Sequence, residues 1–354
     1  MTTLLSALSA KARTAAHPHP GHPTGTGTGT GTTRAAPPTP PAGCTCGAAT
    51  LADRRDATVV RHAGTVAKAH APTTDPAHLT TLLAIAAHLP GVFVPPLRPD
   101  PVPLHGRPVT FWPYGTPVDP EDPDAAPWEA AATLLATLHR TPVPAPARLP
   151  PMRGPAKAAR AVDRLRAAGP HPATPAVLRA WAGLPAWARA EAPMPDTTTL
   201  CHGDLHLGQL VRHPAPDGPW RLIDVDDLGV GVPAWDLARP AAWYACGLLA
   251  PDEWTRFLTA YRAASGPAVP PDGDPWPALD IAARALTVQT AATTLTKALA
   301  AARPLDEVEQ SVIDAVVRMA ALPADEPATV PAPATTPAPA PTPVPTELDR
   351  DHAK

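Results

Sequence analysis

Both ends of this 354-residue chain lack the residues needed to build a hydrophobic core. The first end carries a Gly/Thr repeat between proline clusters, and the last end is a tract of proline and alanine. Segments of this composition bury too little apolar surface to offset the entropy that is lost on ordering. We therefore predict a disordered arm at 1–47, a disordered tail at 323–354 and a folded region between them.

The first part of the folded region has the pattern of β-strands. Residues 56–71 are rich in Val and Thr and alternate in polarity around a turn at 62–64, which predicts a β-hairpin. Residues 106–115 predict a further strand. Between them, 75–91 predicts a helix, because an aspartate and a proline suit its first positions and a glycine suits its end.

The rest of the folded region has the pattern of helices. From residue 126 onward, apolar residues recur at helical spacing, except in a short strand-type island at 199–228. This pattern predicts helices at 127–140, 156–169, 175–189, near 234–264, at 276–301 and at 306–321. The sequence therefore predicts an α+β protein with a small strand-rich lobe at 48–115 and a larger helical lobe at 116–322.

Composition excludes several classes of partner. The net charge is −3, whereas a nucleic-acid-binding protein normally presents a basic face. No run of about 20 apolar residues predicts a membrane-spanning helix. The basic residues near the N-terminus follow the apolar stretch instead of preceding it, which is not the pattern of a secretion signal. We expect a cytoplasmic monomer that binds neither nucleic acid nor a membrane.

The chain has four cysteines: Cys44, Cys46, Cys201 and Cys246. Their spacings fit neither a zinc ligand set nor a disulfide framework, so we expect reduced thiols. A histidine cluster in the N-terminal arm (His17, His19 and His22) predicts no more than adventitious metal binding.

Two short segments of the strand-type island carry carboxylates that are suited to chemistry. The first, HGDLHLGQL at 202–210, contains Asp204 between two glycines that permit tight turns. The second, LIDVDD at 222–227, begins as an apolar strand and ends in three aspartates. Carboxylates at the end of a buried strand lie at the mouth of a core, where they are suited to binding Mg²⁺ and to accepting a proton.

These two segments together resemble the motifs of the aminoglycoside phosphotransferase family, whose relatives include choline kinases and protein kinases. HGDLHLGQL resembles the family's catalytic loop, and LIDVDDLGVGVPAWDLA at 222–238 resembles its strand-aspartate block. The resemblance covers about 56–320. It implies a two-lobed protein-kinase-like fold, with a small antiparallel sheet in the first lobe and a larger helical second lobe.

The resemblance also implies a role for each motif residue. Asp204 matches the aspartate that orients or deprotonates the substrate hydroxyl. Asp224 matches the aspartate that binds Mg²⁺, and Gln209 stands at the position of the family's metal-binding asparagine. Asp236 matches an aspartate that braces the catalytic loop. These parts are what phosphoryl transfer from ATP or GTP requires, since its catalysis is mainly positioning and charge neutralisation.

Other residues are predicted to support these groups. Lys68 lies in the strand pattern TVAKAHA, which resembles the kinase strand whose lysine contacts the nucleotide phosphates. Trp112 and Tyr114, together with the adjacent Phe111, are expected to lie near the adenine. We expect His202 and His206 to support the loop. A further group, Asp226, is a neighbour of the metal site without an assigned role.

Four departures from the family pattern limit this interpretation. Gln209 replaces asparagine, and 49–60 has no glycine where a phosphate loop belongs. The helix at 75–91 offers no glutamate to pair with Lys68, and Val232 replaces an acidic residue. A nucleotide-binding pseudo-enzyme is therefore one alternative function.

A metal-dependent hydrolase is a second alternative. His202, Asp204 and His206 alternate, so on an extended segment they would face one side and bind a transition metal with Asp224 and Asp226. The favoured hypothesis is Mg²⁺-assisted phosphoryl transfer to a small hydroxylated molecule. Its binding site is expected in the helical lobe, facing Asp204.

Overall fold

The computed structural model of the chain describes residues 2–17, 44, 46–54, 56–143, 149–196 and 198–321. The predicted disordered tail, and the predicted arm at 18–43, lie outside the described residues. Among the helices that are described, none is both long enough and apolar enough to cross a membrane.

The first part of the fold is an antiparallel five-stranded sheet with the strand order β1-β2-β3-β5-β4. Its strands are β1 (Ala48–Asp53), β2 (Thr58–His62), β3 (Thr65–Ala69), β4 (Val102–Leu104) and β5 (Arg107–Pro113). The predicted hairpin is confirmed as β2 and β3, with Ala63 in a left-handed turn conformation (φ 51°). The segment that replaces the glycine-rich loop is the β1–β2 hairpin.

The two faces of this sheet have different surroundings. Ala67, Ala69, Val109 and Phe111 lie on one face and are buried in a small core. Lys68, which pairs with Thr110 across the β3–β5 ladder, lies on the opposite face, because side chains alternate along a strand. The sheet therefore directs its lysine away from this small core.

A helix at the N-terminus covers the first of these faces, where we predicted a disordered arm. Helix α1 (Thr2–Ala16) buries Leu8 and Ala12 completely against the sheet residues of the small core. Its apolar residues recur at helical spacing, so one side of the helix packs on the sheet. The expectation missed this helix because the low-complexity sequence that follows it dominated the composition of the segment.

The remaining described helices follow the predicted pattern with a few differences in their ends. They are α2 (Pro76–His88), α3 (Trp128–Arg140), α4 (Gly154–Ala167), α5 (Thr174–Ala182), α6 (Ala234–Ala245), α7 (Pro251–Ala263), α8 (Trp276–Ala301) and α9 (Glu307–Ala321). Asp75 caps α2 as expected, accepting a hydrogen bond from the Ala77 N–H at 3.0 Å. One predicted helix is split into α6 and α7, because Gly247 has φ 77° and the proline at 251 starts a new helix.

Short strands between α5 and α6 hold the motif segments. They are β7 (Leu200–Cys201), β8 (Leu210–Arg212), β9 (Trp220–Leu222) and β10 (Gly229–Val230). β8 pairs with β9 and also with β6 (Thr116–Pro117), which lies just after the five-stranded sheet. These strands pack on the main hydrophobic core of the helices. The motif segments are therefore located where the five-stranded sheet meets the helical part.

Candidate active site

The two motif segments are adjacent in the fold. We call 202–210 the HGD loop and 222–227 the aspartate segment. The HGD loop lies between β7 and β8, and the aspartate segment continues from β9, which pairs with β8. The Ile223 N–H donates a hydrogen bond to the Gln209 carbonyl oxygen at 2.9 Å. Strand pairing therefore brings together the carboxylates that the sequence predicted to act together.

Asp236 fixes the start of the HGD loop from the first turn of α6. Its buried carboxylate accepts hydrogen bonds from the backbone N–H groups of His202 (2.6 Å) and Gly203 (2.7 Å). It also lies 3.0 Å from Nε2 of His139, a buried residue of α3 that the motif comparison did not identify. These contacts are the ones that a loop-bracing aspartate requires.

The side chain of His202 joins the HGD loop to the aspartate segment. Its Nε2 lies 2.9 Å from the carbonyl oxygen of Ile223. Because a carbonyl oxygen can only accept, this nitrogen carries the proton. The imidazole also stacks on Phe93, with ring centroids 6.2 Å apart. The ring is therefore held on two sides, which agrees with the predicted supporting role.

Gly203 permits a close approach of the two segments. Its φ is +85°, and a Cβ at this position would lie 2.3 Å from the backbone oxygen of Asp227. A larger residue would force the segments apart, and an L-residue is also strained at this φ.

Two basic side chains contact the Asp204 carboxylate. Nζ of Lys157 lies 2.7 Å from Oδ2, and Nη2 of Arg239 lies 3.0 Å from Oδ1. Burial alone would raise the pKa of Asp204, but these two charges hold it below its ordinary value. Asp204 is therefore ionised at neutral pH.

Lys157 connects the two motif segments electrostatically. It lies on α4, 47 residues before Asp204, and its Nζ is also 2.7 Å from Oδ2 of Asp227. Burial would lower the pKa of Lys157, but the charges of both aspartates raise it above its ordinary value. The sequence analysis missed Lys157 and Arg239. The only signal for Arg239 was its position three residues after Asp236.

Lys68 reaches the aspartate segment from the five-stranded sheet. Its Nζ lies 2.7 Å from Oδ1 of Asp224 and 3.0 Å from Oδ2 of Asp226. Burial opposes the charge on Lys68, but the two carboxylates raise its pKa above the ordinary value. Lys68 therefore pairs with carboxylates of the aspartate segment instead of with a glutamate of the helix at 75–91.

His70 is a further contact of this cluster that sequence reasoning missed. Its buried ring bridges Oδ2 of Asp226, at 3.2 Å from Nδ1, and the Thr110 hydroxyl, at 2.9 Å from Nε2. Burial would raise the pKa of Asp226, but the Lys68 charge and the His70 hydrogen bond hold it well below its usual range.

Asp224 has a backbone conformation that is uncommon outside glycine, with φ 66°. Its Oδ1 accepts a hydrogen bond from the Asp226 N–H at 3.2 Å, a local bond that lets aspartate tolerate this region. Non-glycine residues in such conformations cluster at functional sites. The turn directs the Asp224 carboxylate toward the lysine of the opposite lobe.

Gln209 and His206 lie in the second half of the HGD loop. Gln209 ends the short 3₁₀ helix Leu207–Gln209 and is buried. Within the described part of the chain, its amide group makes no hydrogen bond, so the amide oxygen has no competing partner. His206 Nδ1 accepts from the Gly208 N–H at 3.1 Å, and burial, assisted by the Arg239 charge, lowers the pKa of His206 to about 4.

The aromatic residues at the end of β5 and directly after it differ in their positions. Trp112 shares the sheet face of Lys68 and donates from Nε1 to the Thr110 hydroxyl at 2.9 Å. The Tyr114 ring lies under the Arg61 guanidinium, 3.4 Å from its carbon. The expected contribution of Phe111 is wrong, because Phe111 is buried on the opposite face beneath α1.

A cleft opens directly at Asp204. It is lined by the HGD loop and by residues from α4, α6 and α8: Gly154, Lys157, Trp235, Arg239, Leu286 and Gln289. Its position in the helical part, facing Asp204, agrees with the location expected for the acceptor.

The arrangement does not favour the metal-dependent hydrolase. His202 Nε2 is bonded to a backbone carbonyl, and His206 Nδ1 is bonded to a backbone N–H. Among the described residues, these two histidines and Asp204 do not converge as a set of metal ligands.

Comparison with known proteins agrees with the predicted family. The sequence model of the phosphotransferase enzyme family matches residues 51–279, which is more than half of the chain and includes both motif segments. No curated protein matches the sequence.

Solved structures match the fold at low identity. A spectinomycin phosphotransferase, solved with ADP and spectinomycin, has 14% identity and a TM-score of 0.52 over 77% of this chain and 92% of its own. A thermostable mutant of an aminoglycoside phosphotransferase has 14% identity and a TM-score of 0.53 over 78% and 95%. A choline/ethanolamine kinase family protein from Mesorhizobium loti has 17% identity and a TM-score of 0.49 over 78% and 88%.

The first two of these structures confirm the two-lobed kinase-like fold, and the family match confirms the predicted class of enzyme. The chain therefore belongs to the phosphotransferase enzyme family.

Proposed function

We propose that this phosphotransferase moves the γ-phosphoryl group of ATP to a hydroxyl group of a small molecule, with Asp204 as the base. The observation that carries the proposal is that the β8–β9 pairing makes the segments of Asp204 and Asp224 adjacent, while Lys68 of the five-stranded sheet contacts Asp224. Phosphoryl transfer requires a cation for the phosphates, ligands for Mg²⁺ and a group that positions the acceptor hydroxyl. These three residues offer one candidate for each requirement.

The donor set fits Mg²⁺. Asp224 offers a carboxylate and Gln209 offers an amide oxygen without a competing hydrogen bond, and Mg²⁺ prefers hard oxygen ligands together with the substrate phosphates. When bound, the ion supplies neutralisation of the negative charge on those phosphates. In the proposed complex, the nucleotide phosphates replace Asp224 as the partner of Lys68, so that the carboxylate becomes available as a ligand.

Asp204 is suited to accept the proton of the acceptor hydroxyl. Each of its oxygens already takes one bond, from Lys157 or from Arg239, and a carboxylate oxygen has a second lone pair. The two charges keep the carboxylate ionised, as a base must be before the reaction. They also fix its orientation toward the cleft.

The charges around Asp204 are balanced. Lys157 and Arg239 line the cleft and both contact Asp204, and Lys157 also contacts Asp227. Two basic groups therefore face two carboxylates, and the class of acceptor has to come from the assay. The cytoplasmic location and the monomeric state stay predictions.

The test is phosphoryl transfer measured with Mg²⁺ and either ATP or GTP against a panel of neutral, anionic and cationic hydroxylated compounds. Asp204→Asn and Asp224→Ala should each lower kcat by about 10²-fold or more, because each removes a group that acts at the reacting atoms. Asp163→Asn is the matched control, since this exposed carboxylate of α4 pairs with Arg166 on its own helix. Unchanged turnover in both site variants would refute the mechanism.

The same experiment separates the pseudo-enzyme alternative. A nucleotide that binds only the folded state raises the melting temperature by mass action. A rise with ATP and Mg²⁺ in the wild type, without transfer to any acceptor and without hydrolysis, would show binding without catalysis.

A further inference from the structure

Four side chains that bind transition metals converge at one end of the five-stranded sheet. They are His17, Cys44, Cys46 and His62, which we call the Cys/His cluster. Each offers one ligand atom, and all four atoms lie within 4.8 Å of one another. Sγ of Cys44 is 3.1 Å from Nε2 of His17 and 3.4 Å from Nε2 of His62.

The cluster is separate from the active site. His62 ends β2 on the face that α1 covers, two residues after Val60 of the small core. Lys68 lies on the opposite face of the same sheet. The cluster also lies at the open end of the β1–β2 hairpin, where Ala48 pairs with His62, and not at the turn that replaces the phosphate loop.

Sequence spacing concealed this arrangement. His17 is 27 residues before Cys44, and His62 is 18 residues after it. Only the docking of α1 on the sheet brings the first histidine to the cysteines.

The donor set is one that tetrahedral zinc uses. Two thiolates and two imidazoles form one of the ligand sets of structural zinc sites, with Zn–S near 2.3 Å and Zn–N near 2.0–2.1 Å. In a tetrahedron of that size, ligand atoms are about 3.3–3.8 Å apart. The Cys46 N–H donates a hydrogen bond to Sγ of Cys44 at 3.4 Å, so the sulfur lies among two imidazoles and a backbone donor.

A metal at this point would stabilise β1, which has little apolar contact with the sheet, and would add to the packing that already holds α1. β1 is exposed along nearly its whole length, so hydrophobic burial does not fix it to the sheet. The end of α1 and the start of β1 are joined by a long segment outside the described residues. A metal clip that closes such a loop removes conformational freedom from the unfolded chain, and the binding free energy contributes to folding.

We propose that the Cys/His cluster binds one Zn²⁺ ion that fixes α1 and β1 to the edge of the sheet. Four protein ligands complete the tetrahedron and leave no position for a substrate, so the ion is structural. The proposal does not depend on the phosphotransferase mechanism, because neither Asp204 nor Lys68 takes part.

The test is the metal content of the untagged full-length chain, purified from zinc-supplemented medium without chelator. Elemental analysis should give about one zinc per chain, and the double variant Cys44→Ser/Cys46→Ser should lose it. Cys246→Ser is the matched cysteine control and should retain the metal, since Cys246 lies outside the cluster. A chelator should lower the melting temperature of the wild type and of this control, but not that of the double variant.

Two further measurements test zinc binding if the double variant does not fold. Cobalt substitution of the wild type should give the thiolate-to-metal charge-transfer absorption and the intense d–d bands of a tetrahedral thiolate site. The variant His19→Ala/His22→Ala, at positions outside the described residues, should keep its zinc. Absence of stoichiometric zinc, loss of zinc in this histidine variant, or cobalt spectra without thiolate bands would each overturn the proposal.

Discussion

Replacement of Asp236 by alanine should destabilise the protein more than removal of any exposed carboxylate. The carboxylate is buried and accepts from two backbone N–H groups, at 2.6 and 2.7 Å, while the His139 imidazole lies 3.0 Å away. Alanine leaves these groups without an acceptor in a site that water does not reach. The start of the HGD loop loses its attachment to α6 in the same step.

The magnitude follows from the number of groups left unpaired. An orphaned buried polar group costs about 1–3 kcal/mol, and three of them would cost about 3–9 kcal/mol if nothing relaxed. Removal of a buried carboxylate also removes its desolvation penalty, which offsets part of this cost. We therefore expect the free energy of unfolding to fall by about 3–5 kcal/mol, a large share of the roughly 5–15 kcal/mol of a typical protein.

Urea unfolding followed by circular dichroism measures this loss as a shift of the midpoint at constant m-value. Asp163→Ala is the control, because its exposed ion pair with Arg166 contributes at most about 1 kcal/mol. Asp236→Asn should lose less, since the amide oxygen can still accept one backbone bond while its NH₂ group opposes the other donor. A loss below about 1 kcal/mol in Asp236→Ala would refute the bracing role.

Three other perturbations test particular contacts. Gly203→Ala should cost about 3 kcal/mol, because its Cβ would meet a backbone oxygen of the aspartate segment. Gly247→Ala is the control, because Gly247 has a similar φ but no atoms near the added Cβ, and it should cost about 1 kcal/mol. If urea unfolding gave equal losses for the two variants, the close approach of Gly203 to Asp227 would be contradicted. Lys157→Met removes a charge that lowers the pKa of Asp204, so the acidic limb of kcat/KM should move to higher pH, and an unmoved limb would exclude this coupling. Because the pKa of His206 falls from 6.5 to about 4 on folding, its stabilising effect is present above about pH 6.5 and is lost as the pH falls toward 4. When the pH falls from about 7.5 to about 5, the free energy of unfolding of His206→Gln should therefore fall by about 2 kcal/mol less than that of the wild type. Parallel urea titrations measure this difference, and identical pH slopes would count against the pKa shift of His206.

Local pattern was sufficient for most of the secondary structure. The β2–β3 hairpin follows from alternating Val and Thr residues around a turn, and α2 begins where Asp75 caps it. Such signals act over a few residues, so they survive in any tertiary context that buries the apolar positions. Helix ends were less certain: the helix that we predicted at 175–189 ends at Ala182. Pro185, three residues further on, lacks the N–H that continuation would need.

The two motif segments were sufficient to predict the family and the fold, because HGDLHLGQL and LIDVDD combine specific residue types at fixed spacing. Their roles rest on the resemblance, and the substitution tests above decide them. The structure adds that the two segments are joined by the β8–β9 pairing and by the hydrogen bond from His202 to the Ile223 carbonyl oxygen.

The charges around these motifs were decided only by tertiary structure. Lys157 reaches Asp204 across 47 residues, and Lys68 reaches Asp224 across 156 residues. The docking of α1 likewise brings His17 to Cys44 across 27 residues. No local pattern encodes these pairs, since an ion pair or a ligand set depends on how whole elements pack. The sequence by itself determined the family and predicted which residues perform phosphoryl transfer, and the packing of the helices and the sheet determined which charges surround them.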